Sequence, residues 1–556
     1  MRHVLPLLSA LCLVVGMSGF GAFVHAAEWP QFRGPGGNGQ SDEAKLPTEW
    51  GPDKNVQWKV KLPGTGWSSP VVWGNKVFVT SAVTDQQRVP QPFGGGGGFG
   101  GRPPGGRPEG TRPEAARPEA GRPEAQQNEA NQAQPPRPNA QPQPGAQQPG
   151  SPPRRPGGFG GGFGGGGGFG RGAQAPNELY RFEVHCLDLA TGKTLWKQLA
   201  LEAKPRIPTH STNTYASETP IVDGQRIYAY FGMTGLFCFD MEGQPLWKKD
   251  LGAYPMVMGW GTGSSPVLEG ERLFVQCDNE EKSFLVALDK KTGEESWRVP
   301  REDRSGWSTP YIWRNKVRTE LVTIGSEKTC AYEPATGKLL WELTDLGGRN
   351  NATPVGNDEL LYVGSSGGGG GFGGPGGGGP GGGGPGGGGP GGGGGFGGRP
   401  GGGFGMAGGA SGALVAVKAG AEADITLKNN ETSNAGVAWK RMRAGPSMAS
   451  PLVYRGYIYI LEQRGGMISC YDAKTGEPAY ARTRIQNARG FTSSPWASDG
   501  KVYCLDDNAQ TYVIAAGPEY KLLGSSALEE MCWSSPAIAD GRLLLRTAEH
   551  LYCIRQ

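Results

Sequence analysis

The sequence predicts an all-β fold: an eight-bladed β-propeller of four-stranded blades, closed by an N-terminal strand and carrying two glycine-rich insertions. Three observations predict it. A Ser/Thr-Pro pair followed by a β-rich run and a turn recurs eight times, with its prolines at 70, 220, 266, 310, 354, 451, 495 and 536. The spacing is 41–46 residues wherever no glycine tract intervenes, and a period in the forties with several short strands per unit marks a propeller blade. A second motif, "CLDLATGKTLW" from Cys186 to Trp196, returns as "CFDMEGQPLW", "ALDKKTGEESW", "AYEPATGKLLW" and "CYDAKTGEPAY".

Residues 1–26 combine a short basic start, an apolar run and small residues near Ala26, the pattern of a secretory signal cleaved after Ala26. An uncleaved anchor is the rival reading, because the run approaches spanning length; Pro6 and the glycines count against it. Cys12 lacks the small residues of a lipoprotein signal before it, so the expected location is periplasmic or secreted, without a membrane segment in the mature chain. Residues 27–54 form a lead segment and 55–556 the propeller. "NVQWKVKLP" reads as a fourth strand with no first three, whereas the eighth unit ends in "HLYCIRQ" after its third. The N-terminus therefore completes the last blade and removes the open edges of the ring.

Within a unit, strand A follows the Ser/Thr-Pro, strand B follows an Asp-Gly or Gly-Asn turn, strand C carries the "CLDL" run, and strand D carries the aromatic. Gly192, Gly293, Gly337 and Gly476 fit a C–D hairpin that needs positive φ, with Asp188, Asp289, Glu333 and Asp472 bonding the turn amides. Trp58, Trp196, Trp247, Trp297, Trp341 and Tyr480 are expected to dock each blade on its neighbour.

The chain holds 99 glycines and 46 prolines, concentrated in 86–177 and 365–412. Such tracts bury too little apolar surface to offset ordering and are expected to be disordered. Both fall between strands B and C, in blades one and five, so both leave the same face. Tolerated expansion is preferred over a tethering role for them. Without the tracts and the N-terminus, about 370 residues remain, enough for one large all-β domain. A net charge of +4 argues against a nucleic-acid partner. The eight cysteines after Cys12 read as small buried hydrophobes rather than bridges, because those in equivalent repeat positions lie on separate sheets. No CxxC, haem-attachment or zinc spacing occurs.

The runs "ATGKTLW", "KTGEESW" and "ATGKLLW" resemble the tryptophan-docking motif of the PQQ-like eight-bladed propellers. That superfamily includes quinoprotein alcohol dehydrogenases, the assembly lipoprotein BamB, and exported repeat proteins that begin with something like "WPQFRGPGGNGQS". The resemblance spans the chain outside the tracts and implies the fold. It is nearly silent on activity, since the motif serves packing.

In relatives with a ligand, the ligand sits at the face where strand A begins. Here Trp67, Trp307 and Trp533 stand three residues before the proline, with Trp260 and Phe491 nearby; an aromatic rim of this kind stacks on a planar cofactor or a sugar. Glu218 stands where other units have Ser or Ala, and is expected to pair with an arginine rather than bind a cation or act as a base. Arg349, Arg443 and Arg489 precede strand A in three consecutive blades, as an anion-attracting arc or as solvated charge. His210 lies on the same face. No catalytic or metal-ligating set is assigned. PQQ with Ca²⁺ is the cofactor the resemblance allows, but the adjacent-cysteine disulfide of such dehydrogenases has no counterpart, and the calcium donors reduce to Glu218 with Asn350 or Asn351. The first expectation is a monomeric, non-catalytic scaffold binding an envelope protein or polysaccharide. A carbohydrate-binding propeller and a PQQ- and Ca²⁺-dependent alcohol or sugar dehydrogenase follow.

Overall fold

The computed structural model describes residues 28–42, 46–90, 174–344, 346, 351–366 and 412–556. Residues 1–26 and both glycine-rich tracts, apart from the ends of the tracts, lie outside them. The described residues form eight antiparallel sheets and three single-turn 3-10 segments. No helix among them is long and apolar enough to cross a membrane.

The propeller reading holds, blade by blade. Blade 1 pairs Val71–Trp73, Lys76–Val83, Tyr180–Asp188 and Thr194–Ala203 as strands A to D. Blade 3 repeats this order with Val267–Glu269, Arg272–Cys277, Phe284–Asp289 and Glu295–Pro300. Blade 8 has Ala537–Ala539, Arg542–Arg546 and His550–Arg555 as strands A to C, and its strand D is Val56–Lys61 from the N-terminus. The ring is closed by pairing two chain segments almost five hundred residues apart, which leaves no blade with a missing edge.

Strand C and strand D slip by one residue in every blade. The extra residue stands immediately before the docking position: Leu195, Leu246, Ser296, Leu340, Ala438, Ala479, Leu523 and Gln57. A bulge bends its strand and re-aims the next side chain, and the next side chain is the aromatic. Trp58, Trp196, Trp247 and Trp297 each reach the C–D turn of the following blade. Their indole N–H groups donate to the carbonyls of Leu189, Met241, Lys290 and Pro334 at 3.0–3.2 Å. Each ring lies against the turn glycine, so that a Cβ added at Gly192, Gly243, Gly293 or Gly337 would stand 2.5–2.8 Å from it. The turn glycine therefore serves both its positive φ and the neighbour's indole.

Three blades depart from this scheme. Trp439 in blade 5 docks like the others, on Gly476 and the Ala473 carbonyl, although its unit carries little of the motif. Trp341 in blade 4 does not dock on the next blade. Its N–H donates to Glu320 of its own sheet at 2.7 Å, and Ala423–Asp424 from the blade 5 C–D connection adds a parallel strand outside it. Ile425 and Leu427 join the same buried cluster, so that connection supplies the cover a neighbouring turn gives elsewhere. Tyr480 meets the ring of Tyr520 edge-on at 5.8 Å. In blade 7 the docking position is Gly524; there the lead segment packs instead, with Trp50 buried and its backbone N–H on Ser526 Oγ at 2.9 Å.

The lead segment also crosses the inner ends of the blades. Glu28–Trp29 pairs with strand A of blade 1, the Pro30 carbonyl accepts from Val222 N of blade 2, and Gly37 lies against Tyr311 of blade 4. Arg33 donates to the Pro451 carbonyl at 2.6 Å, and Gln40 to the Val453 carbonyl at 2.7 Å. The eight cysteines are free, and all but the part-buried Cys277 are buried; burial pushes the Cys186, Cys238 and Cys470 thiols up to about 12.

Candidate functional site at the channel mouth

Strand A starts at one face of the ring, and the residue just before each proline is Ser69, Thr219, Ser265, Thr309, Thr353, Ser450, Ser494 or Ser535. All eight line a single cavity of about 420 Å³ on the ring axis. Phe32 of the lead segment also lines it, so the N-terminal crossing contributes to its wall as well as to the ring's inner ends.

The eight hydroxyl residues also stitch the blades together. The backbone N–H of Ser69 donates to Thr219 Oγ1, that of Thr219 to Ser265 Oγ, and that of Ser265 to Thr309 Oγ1, at 2.9–3.0 Å. The chain continues through Thr353, Ser450, Ser494 and Ser535 at 3.0–3.3 Å. One residue further back, Ser264, Ser308, Ser493 and Ser534 donate their hydroxyls to the next blade's carbonyl. These two belts, the first across seven of the eight joints and the second across four, satisfy backbone groups that a loop entering a buried strand would otherwise leave unpaired.

Trp67, Trp260, Trp307 and Trp533 line the cavity together. Trp67 and Trp533 are 5.9 Å apart between ring centroids, tilted by 30°. The Trp67 and Trp307 indoles are fixed by N–H donation to the Thr212 and Gly261 carbonyls, at 2.9 and 2.7 Å. His210 stacks on Trp260 at 4.1 Å, and Asn213 donates to the Trp260 and Thr262 carbonyls. These aromatic faces are held in place before anything binds.

The other residues singled out from the sequence do not line the cavity. Phe491 is fully buried in a core cluster with Tyr459, Ile485 and Tyr512; its backbone N–H donates to Glu462 O, which turns the ring between blades rather than to the mouth. Arg443 and Arg489 occupy exposed loop positions away from it, and Arg349 lies outside the described residues. Glu218 has no arginine partner among the described residues. It is 1 % exposed, behind the hydroxyl ring, and its Oε1 has no hydrogen-bond partner among the described residues. Burial pushes its carboxyl up to about 7, against the pull of the Thr262 hydroxyl and two backbone amides.

Asn351, offered by the sequence as a calcium donor, does line the cavity, beside groups the sequence reading passed over: Arg464, Gln463, Asn213 and the hydroxyl ring itself. The signal for the ring was present, as Ser or Thr before the proline in all eight units. Arg464, on the B–C loop of blade 6, carries no repeat signature. Among the described residues no Asp or Glu lines the cavity, and no group of three or more His, Cys, Asp or Glu could hold a metal ion. The mouth therefore offers apolar faces and hydrogen-bond donors. A Ca²⁺-bound PQQ does not fit this donor set, because the described lining brings hydroxyl and amide oxygens and no carboxylate to balance a hard dication.

Residues 181–368 of the 556 match the family model described as outer membrane protein assembly factor BamB. No curated protein matches the chain. Among solved structures, BamB from Moraxella catarrhalis is similar at 11 % identity and a TM-score of 0.45, over 67 % of this chain and 88 % of that one. Quinohemoprotein alcohol dehydrogenase from Comamonas testosteroni is similar at 10 % identity and 0.42, over 69 % and 74 %. The computationally designed Ika8 protein gives 9 % and 0.43, over 69 % and 98 %. Likenesses of this degree carry no argument about what the chain does.

Proposed function

We propose that this BamB-like, PQQ-like propeller is an exported, non-catalytic binding protein of the cell envelope, whose channel mouth holds a saccharide of an envelope polymer. The observation that carries this reading is the convergence of Trp67, Trp260, Trp307 and Trp533 on one cavity of about 420 Å³. Fixed indole faces beside amide and hydroxyl groups suit a pyranose, which presents an apolar C–H face and a polar rim. The described lining presents no pair of carboxyls placed for glycoside chemistry.

The test is affinity electrophoresis of the mature protein through gels carrying envelope polysaccharides, with Trp260→Ala and Trp307→Ala beside it. Each variant should bind about 3–10-fold more weakly, from a loss of about 0.5–1.5 kcal/mol per stacked ring. Unchanged binding in both would overturn the assignment of the mouth.

A second reading, docking of an envelope protein on the outer rim, rests on Leu195 and Leu199, 44 and 45 % exposed on strand D of blade 1. Leu199→Glu should then abolish retention of that partner and leave polysaccharide binding intact.

A further inference from the structure

The hydroxyls of the two belts are used differently. At the second position before the proline, Ser264, Ser308, Ser493 and Ser534 spend their O–H on a neighbouring carbonyl. At the first position, seven hydroxyls accept from the preceding blade's N–H through Oγ. A hydroxyl has one hydrogen to give as well as lone pairs to receive. None of the eight gives that hydrogen to an acceptor among the described residues. All eight residues are 1–6 % exposed and line the same cavity.

The ring is therefore a closed circle of O–H donors aimed into the channel, and its surroundings match. Arg464 lines the mouth and pairs with no carboxylate among the described residues, while Gln463 beside it brings an amide. Two carboxyls stand just outside the described lining, Glu218 beside Thr262 and Asp507 accepting from the Thr492 N–H, and burial favours the neutral form of each. Fixed donors in a partly desolvated site stabilise negative charge without the desolvation cost of a buried cation.

We propose that the ring is the seat of an oxyanion, and that the saccharide taken by the mouth is an acidic one: a uronic acid or a sulfate ester whose sugar ring lies on the tryptophans. This rests on the saccharide reading above. The seat has no preferred direction about the axis, so one ligand meets several hydroxyls whichever way it enters.

Matched pairs of uronic or sulfated oligosaccharides and their neutral counterparts separate the two claims, titrated calorimetrically into the full mature protein. Sodium sulfate and free glucuronate serve as anion controls. The acidic member should bind at least tenfold more tightly than its neutral counterpart. Ser69 is the one ring hydroxyl that accepts no belt bond, so Ser69→Ala removes a donor without opening the belt. Combined with Arg464→Gln, it should bring the ratio of acidic to neutral affinity close to one, with the melting temperature unchanged; Ser69→Thr should restore its share. Equal affinity for acidic and neutral members would overturn the oxyanion seat and leave the saccharide reading standing. Sulfate or glucuronate binding as tightly as the acidic oligosaccharide would overturn the sugar component of both. Binding of no member of the panel would overturn both readings.

Discussion

Gly293 and Gly270 show how two residues of one type carry different duties. Both have positive φ, 73° and 60°, but a Cβ at Gly293 would stand 2.5 Å from the Trp247 ring, whereas one at Gly270 would meet nothing within 4 Å. Gly270→Ala should cost about 1–2 kcal/mol, from the left-handed backbone alone. Gly293→Ala should cost about 2–5 kcal/mol, because the indole must also move; the difference in urea midpoints measures the docking contact. Glu218 makes a prediction in pH. Its carboxyl is raised from 4.5 to about 7 in the folded protein, so the folded chain holds a proton that the unfolded chain has lost. That stabilisation is complete below about pH 4.5 and disappears as pH rises through 7. Asp507, also raised to about 7 by burial, acts in the same direction, so the parent protein is the reference. Glu218→Gln should melt higher than the parent at pH 8, by on the order of 2–3 kcal/mol, with the gap narrowing toward pH 5. A constant gap across that range would contradict the account of this residue.

At the scale of the blade, the repeat was legible because it is written in residues: the proline, the turn glycine and the aromatic. The bulge before the aromatic was not: Leu fills it in four blades and Ser296, Ala438, Ala479 or Gln57 in the others, so no residue type marks it and only pairing reveals it. The exceptions were hidden for a related reason. Trp341 carries the motif but is covered by the blade 5 connection, while Trp439 docks with almost none of it. Docking is decided by what the following turn presents, and that turn lies 34–45 residues further on in sequence, or 131 across the first tract. Ile425→Asp should uncover Trp341, which is fully buried in the parent, and shift its emission to the red without changing ring closure. The lead segment makes a stronger prediction. Removing residues 28–42 takes away Trp29, Arg33 and the pairing with strand A of blade 1. The protein should melt earlier and bind the dye ANS at its inner channel; an unchanged melting temperature would show that the crossing contributes nothing.

For the whole ring, one sequence position does three jobs. The Ser or Thr before each proline ties a blade to the one before it, frames the channel mouth, and leaves an O–H facing the axis. The fold was readable because eight repeats state it eight times. The mouth was readable only in part: the four tryptophans are large and unusual enough to notice, whereas Phe491, Arg443 and Arg489 were placed by sequence offset alone, and loop geometry sent them elsewhere. The central claim is that the mouth indoles receive a ligand while the docking indoles hold the blades. Labelling the 15 tryptophans with 5-fluorotryptophan and assigning them by substitution makes both sets visible in one ¹⁹F spectrum. On titration with an acidic oligosaccharide, the resonances of Trp67, Trp260, Trp307 and Trp533 should move together and saturate, while those of Trp58, Trp196, Trp247, Trp297 and Trp439 stay fixed. Movement of the docking set, or a saturated complex in which the mouth set does not move, would contradict it.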